Sequence, residues 1–407
     1  MMATLDKPST PGTRTSDGGG APPPGLMYGA VYGAFGAMQP FLAVQLEKER
    51  GLTASHLGRL ASACALASFV SSAVASVTAD RTRRHRDLLR GACLLAASLA
   101  PLLPLLPASP LPLCFLVLLL VDDAVMEDLG AANKKHEYGR HRMWGSIGFG
   151  VASGLMGWWL TFHEWVWSLW VFAAAMVGLA SIFHYSNMRF PTGRPQVQYA
   201  QILTLLTSFR FQCFLAAIFV FGLSHSVASG FLFLFLRDLG ATESLMGVAT
   251  IAQTLAEIPV MFWSGHMLSR YGSRAVIVAS MVLYGLRMLG TTFLSPDNTT
   301  ALVLPLQLLG GLAFGLAWPA GLNHVNALAA SIASPSLGAT AQVVGSGVFG
   351  SLSGFVGGLV GGWAYQALGP RQLFHGLGVL LISTAICFFL IERAITPSRN
   401  ESDTRAK

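Results

Sequence analysis

The chain has 407 residues, of which 53% are hydrophobic and 11% are charged, and its net charge is +7. Soluble globular domains carry about 25% charged residues, so this composition excludes an ordinary soluble enzyme and predicts an integral membrane protein that meets the lipid bilayer. The basic residues lie in short runs between apolar segments rather than on one continuous face, which argues against a nucleic-acid partner. The five cysteines form no CxxC pair or metal-ligand group, so we expect no metal and no cofactor.

Twelve apolar stretches, here called spans 1 to 12, are long enough to cross a bilayer, for which about 20 residues suffice. They lie at 26–46, 57–79, 88–106, 110–129, 143–163, 165–185, 212–236, 245–267, 275–295, 300–322, 339–364 and 373–392. The predicted fold class is therefore an all-α membrane protein with twelve transmembrane helices. The predicted division is a disordered cytoplasmic tail at 1–24, a six-helix bundle at 25–186, a cytoplasmic linker at 187–211, a second six-helix bundle at 212–393 and a cytoplasmic tail at 394–407.

The distribution of Lys and Arg over the loops predicts the orientation. Twenty of these residues lie on the side of both termini, five lie on the other side, and Arg287 lies within a span. Cytoplasmic loops carry the excess of positive charge, so both termini are predicted to be cytoplasmic. We expect a multi-pass monomer in the plasma membrane.

The two halves of the chain resemble each other. The segment 51–58 (GLTASHLG) opens span 2 and the segment 240–247 (GATESLMG) opens span 8, with four of eight residues identical at an offset of 189. The same offset relates Arg81 to Arg270. A register shared over this distance predicts two parallel six-helix repeats.

The loop between spans 8 and 9 carries a more specific signal. Its segment 265–274 (GHMLSRYGSR) resembles the cytoplasmic loop signature of the major facilitator superfamily, and 79–84 resembles a degraded first-half copy. Over about residues 25–392 the chain resembles a member of that superfamily. The resemblance implies a transporter with two bundles around a central cavity that opens alternately to each side of the membrane.

A finer resemblance lies at the start of span 5. Residues 137–149 (EYGRHRMWGSIGF) resemble the fifth helix of the lactose permease and its relatives, the oligosaccharide, nucleoside and phenylpropionate proton symporters. The resemblance implies that Arg142 pairs with a fourth-helix carboxylate at the substrate, nearest Asp123, and that Phe149 stacks on a sugar ring. Phe149 replaces the family's Trp, which weakens the case for a sugar, and Asp123 is one residue out of register. The segment 309–314 also lacks the family's tenth-helix His and Glu, so we expect a small organic solute other than lactose. The alternative is that these charges are solvated at the cytoplasmic ends of the helices.

Three titratable residues of the second half lie within spans, where a charged side chain costs at least about 2.5 to 3.5 kcal/mol. Arg287 aligns with a ninth-helix Arg of the lactose permease that takes part in proton coupling, and Glu257 stands one turn past that family's eighth-helix Glu. The resemblance implies that Glu257 and Arg287 form a coupling unit, and a structural ion pair is the alternative. His225 is either a substitute proton site or a hydrogen-bonded structural residue.

No catalytic signature is present. The segment 136–141 approaches a HExxH zinc motif, but its second His comes one residue late, so the two rings do not share a helix face. The predicted function is secondary active transport of a small organic solute by alternating access, coupled to protons. The alternative is a transporter-like receptor or scaffold without coupled flux, since 309–314 lacks the His and Glu that the lactose permease carries in its tenth helix.

Overall fold

A computed structural model describes residues 24–82, 85–105, 138–185, 199–332 and 337–395, and the regular elements within these ranges are all helical. The helices of the spans are Pro24–Arg50 (span 1), Ala54–Thr82 (span 2), His85–Leu99 (span 3), Tyr138–Trp159 (span 5), Val166–Tyr185 (span 6), Phe209–Asp238 (span 7), Glu243–Thr291 (spans 8 and 9), Thr299–Ile332 (span 10), Gly338–Ser346 and Ser353–Leu368 (span 11) and Pro370–Ile395 (span 12). The 3-10 helix Ala100–Leu105 extends span 3, the π-helical Gly347–Leu352 joins the two parts of span 11, and Tyr199–Thr207 forms a short helix in the linker. Eleven spans are thus found as helices, and span 4 lies outside the described residues. The all-α class is confirmed.

Spans 8 and 9 form one continuous run of helix that is interrupted at a single residue. Gly272 has φ 77° and ψ 153°, a backbone conformation that residues with a Cβ rarely adopt. The loop expected at segment 265–274 is therefore reduced to a sharp break of the helix at one glycine.

The two related segments that open spans 2 and 8 share their local structure. Gly51 and Gly240 both have positive φ, at 62° and 84°. The hydroxyls of Thr53 and Thr242 then accept hydrogen bonds from the backbone N–H three residues later, at 3.4 and 3.3 Å. Both helices thus begin with a glycine turn followed by a threonine N-cap, as two copies of one repeat should.

Glycines allow the two bundles to approach closely. A Cβ on Gly157 in span 5 would lie 2.9 Å from the Cα of Gly247 in span 8, and a Cβ on Gly58 in span 2 would lie 2.8 Å from the Cα of Gly362 in span 11. Real Cβ atoms do not approach other atoms this closely, so only glycine fits at these crossings. Close backbone packing is the main source of helix association in a bilayer, where burial of apolar surface gives no net gain.

Ion pairs reinforce the contact at the end of the bundles that holds loops 51–53 and 239–242, here called the closed end. Arg237 Nη2 lies 2.6 Å from Glu47 Oε2, and Lys48 Nζ lies 3.8 Å from Glu243 Oε1. Among the described residues, the ion pairs that join the two bundles are these two. The opposite end, which holds Pro24 and Ile395, is here called the terminal end.

The outer surface of the bundles is apolar. Seven of the described helices are long and apolar enough to cross a membrane, and one of them, Glu243–Thr291, comprises two spans. Near the loop between spans 5 and 6, Trp158, Phe162 and Trp167 are all more than half exposed. Exposed aromatic residues at helix ends are typical of the boundary between lipid and water.

Candidate functional site

Glu257 lies at the interface between the two bundles. Its side chain belongs to span 8, and the residue is 6% exposed. Ser146 of span 5, also buried, donates a hydrogen bond from its hydroxyl to Glu257 Oε1 at 2.7 Å. A titratable group of the second bundle is therefore bonded directly to the first bundle.

A glycine of span 10 supports the position of Glu257. A Cβ on Gly315 would lie 3.0 Å from the backbone oxygen of Glu257, so span 10 packs closely behind this part of span 8. On the interface side, a Cβ on Gly150 would lie 2.6 Å from the hydroxyl oxygen of Thr254. The turn of span 8 that holds Glu257 is thus enclosed by small residues on both sides.

Arg287 is held by neutral side chains. Its Nη2 donates to Gln307 Oε1 at 2.5 Å and to Gln253 Oε1 at 3.5 Å, and its guanidinium carbon lies 4.9 Å from the centre of the Tyr284 ring. Gly310 makes room for it, because a Cβ there would lie 2.6 Å from Arg287 Nε. The segment 309–314, which lacks the tenth-helix pair of the lactose permease, therefore accommodates the guanidinium.

The expected direct pairing of Glu257 with Arg287 is absent in this conformation. No ion pair within 4 Å joins the two among the described residues, although both are buried. The physical reason is that each has another partner: Ser146 binds the carboxyl group, and amide oxygens bind the guanidinium. Gln253 connects the two environments, since it stands one helical turn before Glu257 on span 8.

His225 belongs to the same layer of the second bundle. Its Nδ1 lies 3.2 Å from the hydroxyl of Tyr284, whose ring also contacts Arg287. The imidazole stacks on Phe314, with ring centres 4.7 Å apart, and on Phe349, at 5.8 Å. Tyr284 thus links the two predicted coupling residues Arg287 and His225.

The three predicted substrate residues are not all described. Phe149 is half-buried on span 5 where span 1 crosses it, and a Cβ on Gly36 would lie 2.8 Å from its Cα. Arg142 lies within helix Tyr138–Trp159, one turn before Ser146, but its side chain is outside the described part of the structure, as is the whole of Asp123. Their contact with a substrate stays a prediction.

A second charged cluster at the terminal end was not predicted. Glu392 of span 12 is fully buried and accepts from Arg210 Nε and Nη2, both at 3.0 Å, while Arg274 Nη2 also lies at 3.0 Å. Nearby, His324 Nδ1 lies 3.1 Å from the hydroxyl of Ser273. Arg274 ends the loop signature 265–274, so this part of the signature binds a buried carboxylate.

A cavity opens in the second bundle between these two layers. Phe314 and Phe349, which stack on His225, also line the cavity, and so does Phe214, whose ring lies 5.0 Å from that of His324. Spans 7, 9, 10 and 11 form its walls. Its further aromatic residues are Phe221 and Trp318, and its polar side chains are Ser280, Gln342 and Ser346.

The sequence matches the MFS_1 like family, where MFS denotes the major facilitator superfamily, over residues 26–376. The chain belongs to this family. It is similar to the maltose permease of Geobacillus stearothermophilus, with 26% identity over 371 residues that cover 88% of this chain and 92% of the permease. It is also similar to the major facilitator superfamily domain-containing protein 6-like protein B of Xenopus laevis, with 23% identity over 175 residues, 43% of this chain and 27% of that protein.

Solved structures show the same fold. The nucleoside transporter NupG has a TM-score of 0.75 at 16% identity, over 91% of this chain and 98% of the transporter. A mutant of it has a TM-score of 0.76 at 17% identity, over 90% and 98% of the two chains. The predicted superfamily is confirmed: the chain is a multi-pass membrane protein that transports a small solute, and it belongs to a class of transporters that are not enzymes.

Proposed function

We propose that this transporter is a secondary active symporter, which carries a small organic solute by alternating access and is driven by protons bound at Glu257. The observation that carries the proposal is the hydrogen bond from Ser146 to Glu257 across the bundle interface. Glu257 is protonatable, buried and located where the bundles must move against each other.

The strength of this bond depends on the proton. A hydrogen bond to an ionised group contributes about 1.5 to 3 kcal/mol, and one between neutral groups contributes about 0.5 to 1.5 kcal/mol. Protonation of Glu257 therefore weakens the attachment of span 8 to span 5 and shifts the equilibrium between bundle arrangements. By linkage, a change of arrangement alters the affinity of Glu257 for its proton.

The packing at the closed end supports alternating access. Glycine crossings and the ion pair between Arg237 and Glu47 join the bundles there. The proposal places the protein in the plasma membrane with both termini in the cytoplasm. The closed end then faces the outside of the cell, and this conformation is closed to the outside. The opposite arrangement would break these contacts and bring the terminal ends of the bundles together.

The substrate residues of the proposal are Asp123, Arg142 and Phe149, with the solute between them and the second bundle. A planar guanidinium at Arg142 suits paired hydroxyls or a carboxyl group. The similar proteins are by name a maltose permease and a nucleoside transporter, which supports an organic solute with several hydrogen-bonding groups. His225, bonded to Tyr284, is proposed as a second proton site.

Uptake into liposomes tests the proposal. The purified transporter is reconstituted and given an imposed proton gradient and a library of labelled solutes. We expect at least one solute to accumulate and the accumulation to collapse when a protonophore is added. Binding of a solute without any flux would favour the receptor or scaffold instead, and accumulation that survives the protonophore would refute proton coupling.

A further inference from the structure

The cavity of the second bundle has a lining that selects for a particular ligand chemistry. We infer that it binds an aromatic part of the transported solute, and that the part held in this cavity is uncharged, planar and carries few hydroxyl groups, whereas other hydrogen-bonding groups of the solute lie outside the cavity. The inference rests on the proposed function for the statement that the bound compound is transported. Binding itself is argued from the lining alone.

Charge is the first criterion. The described residues that line the cavity include no charged side chain. The charged groups in the adjoining layers already have partners, since Gln307 binds Arg287 and two arginines bind Glu392. An ionised ligand would lose its hydration here without gaining a counter-charge, which is far more costly than burial of a neutral group.

The shape of the walls is the second criterion. Trp318 and Phe349 meet edge to face, with ring centres 5.6 Å apart, while Phe221 stacks on Phe349 at 6.1 Å and Phe314 on Trp318 at 6.3 Å. The cavity is thus bordered by the faces and edges of several rings. An inserted aromatic ring would gain about 0.5 to 1.5 kcal/mol for each such pair beyond the burial of its area.

Hydrogen-bonding capacity is the third criterion. The hydroxyls of Ser280 and Ser346 donate to the carbonyl oxygens of Ile277 and Val343, at 2.7 and 3.1 Å, so their hydrogens are already used. The side chain of Gln342 makes no hydrogen bond to another described residue, which leaves its amide for a ligand. The amide offers one acceptor oxygen and two N–H donors, and the serine oxygens can still accept, so the cavity can serve only a few hydrogen-bonding groups of a ligand.

A sugar fits these walls poorly. Each hydroxyl that is buried without a partner costs about 1 to 3 kcal/mol, and a disaccharide would leave several of them unpaired in this cavity. A neutral aromatic compound with one acceptor oxygen satisfies all three criteria. The inference therefore separates the ligand of this cavity from maltose, the solute in the name of a similar permease.

Three probes test the ligand class. They are coumarin, which is neutral, planar and carries a carbonyl acceptor, coumarin-3-carboxylate, which adds a charge, and maltose. Each is titrated against the purified full-length transporter in detergent, and binding is measured by equilibrium dialysis and by the shift of the unfolding temperature. We expect coumarin to bind at least tenfold more tightly than either of the other two probes.

Two variants tie the binding to the cavity. A Cβ on Gly321 meets no atom within 4 Å, so the side chain in Gly321→Leu occupies cavity space without a clash at its base, and it should abolish coumarin binding. Gly178→Leu is the matched control, because Gly178 is equally open but lies in span 6 of the first bundle, and it should bind like the parent. Gln342→Met, of similar size but without the amide, should weaken coumarin binding about 2- to 10-fold.

Coumarin that partitions into detergent contributes equally to the binding measured for every variant, so a difference between variants reports the cavity. Equal binding by the parent and Gly321→Leu would therefore overturn the inference. Tighter binding of maltose or of the carboxylate would overturn it as well. If Gly321→Leu does not fold, the affinity of Gln342→Met decides, and an unchanged value there refutes the site. None of these assays uses a gradient, so failure of proton-driven uptake with coumarin binding intact would count against the proposed symport alone.

Discussion

The crossing of spans 2 and 11 allows a direct perturbation of the closed end. In Gly358→Ala, the new Cβ would lie 2.6 Å from the backbone oxygen of Gly58 and 2.8 Å from the backbone nitrogen of Ser62. These are backbone atoms and cannot rotate away. The hydroxyl of Ser62 also bonds the two helices, donating to the carbonyl oxygen of Phe355 at 2.7 Å, so the helices are tied together at this level. The methyl group must therefore push the two bundles apart.

The expected magnitude follows from the cost of overpacking. Adding a methyl group to a tightly packed contact costs about 1 to 3 kcal/mol. This cost applies only to the arrangement in which the closed end is packed. The population ratio of the open to the closed arrangement should therefore rise about 5- to 150-fold, because about 1.4 kcal/mol corresponds to each factor of ten. Gly350→Ala is the matched control in the same span, because a Cβ on Gly350 meets no atom within 4 Å. Both substitutions replace glycine by alanine within helical structure, so their propensity effects are comparable.

A reporter cysteine measures this ratio. Ala54→Cys, at a position that is 8% exposed and beside the crossing, is made in a chain whose five native cysteines are replaced by alanine. The rate of its reaction with a membrane-impermeant maleimide reports how often the closed end opens. We expect Gly358→Ala to raise this rate at least about 5-fold and Gly350→Ala to leave it within 2-fold of the parent. Equal rates in the two variants would refute the account of the closed end.

Three further predictions concern the substrate site, the orientation and the terminal end. Arg142→Lys should reduce transport strongly without loss of protein from the membrane, because an ammonium cannot reproduce the guanidinium fork, and normal uptake would remove Arg142 from the site. Tags at either terminus should resist protease added outside intact cells, and digestion there would refute the topology. Glu392→Gln should lower the free energy of unfolding by about 2 to 4 kcal/mol in a thermal unfolding assay. This is the lower range for a broken buried ion pair, because the arginine partners are 30% exposed. The control Arg393→Gln, at an exposed neighbouring position, should have little effect in the same assay.

Most of the fold could be predicted from the sequence because its signals are local. A bilayer requires about 20 consecutive apolar residues for each helix, so hydropathy alone located the eleven spans that are found as helices. The structure of the segments 51–58 and 240–247 also depends on local residues, since positive φ at Gly51 and Gly240 favours glycine and an N-cap favours threonine. The break at Gly272 is likewise a single-residue effect.

The partners of the buried polar groups could not be predicted, because they depend on how neighbouring helices are rotated and shifted. The sequence showed that Glu257 and Arg287 need partners, but the structure gives them Ser146 and Gln307, which lie 111 and 20 residues away. One available signal was overlooked. A glutamine one turn before Glu257, at position 253, is a second polar residue in an apolar span and indicated a polar face.

The measurement that tests the central claim most directly is a comparison of exchange and accumulation in Glu257→Gln. The amide oxygen of Gln can still accept the hydrogen bond from Ser146, at the weaker strength of a bond between neutral groups, so the side chain resembles protonated Glu257 but can no longer take up and release a proton. In proteoliposomes with an imposed proton gradient, we expect this variant to exchange labelled for unlabelled solute at a rate near that of the parent and to show no accumulation. Protonophore-sensitive accumulation by Glu257→Gln at the parent's level would contradict the assignment of proton coupling to this carboxyl group.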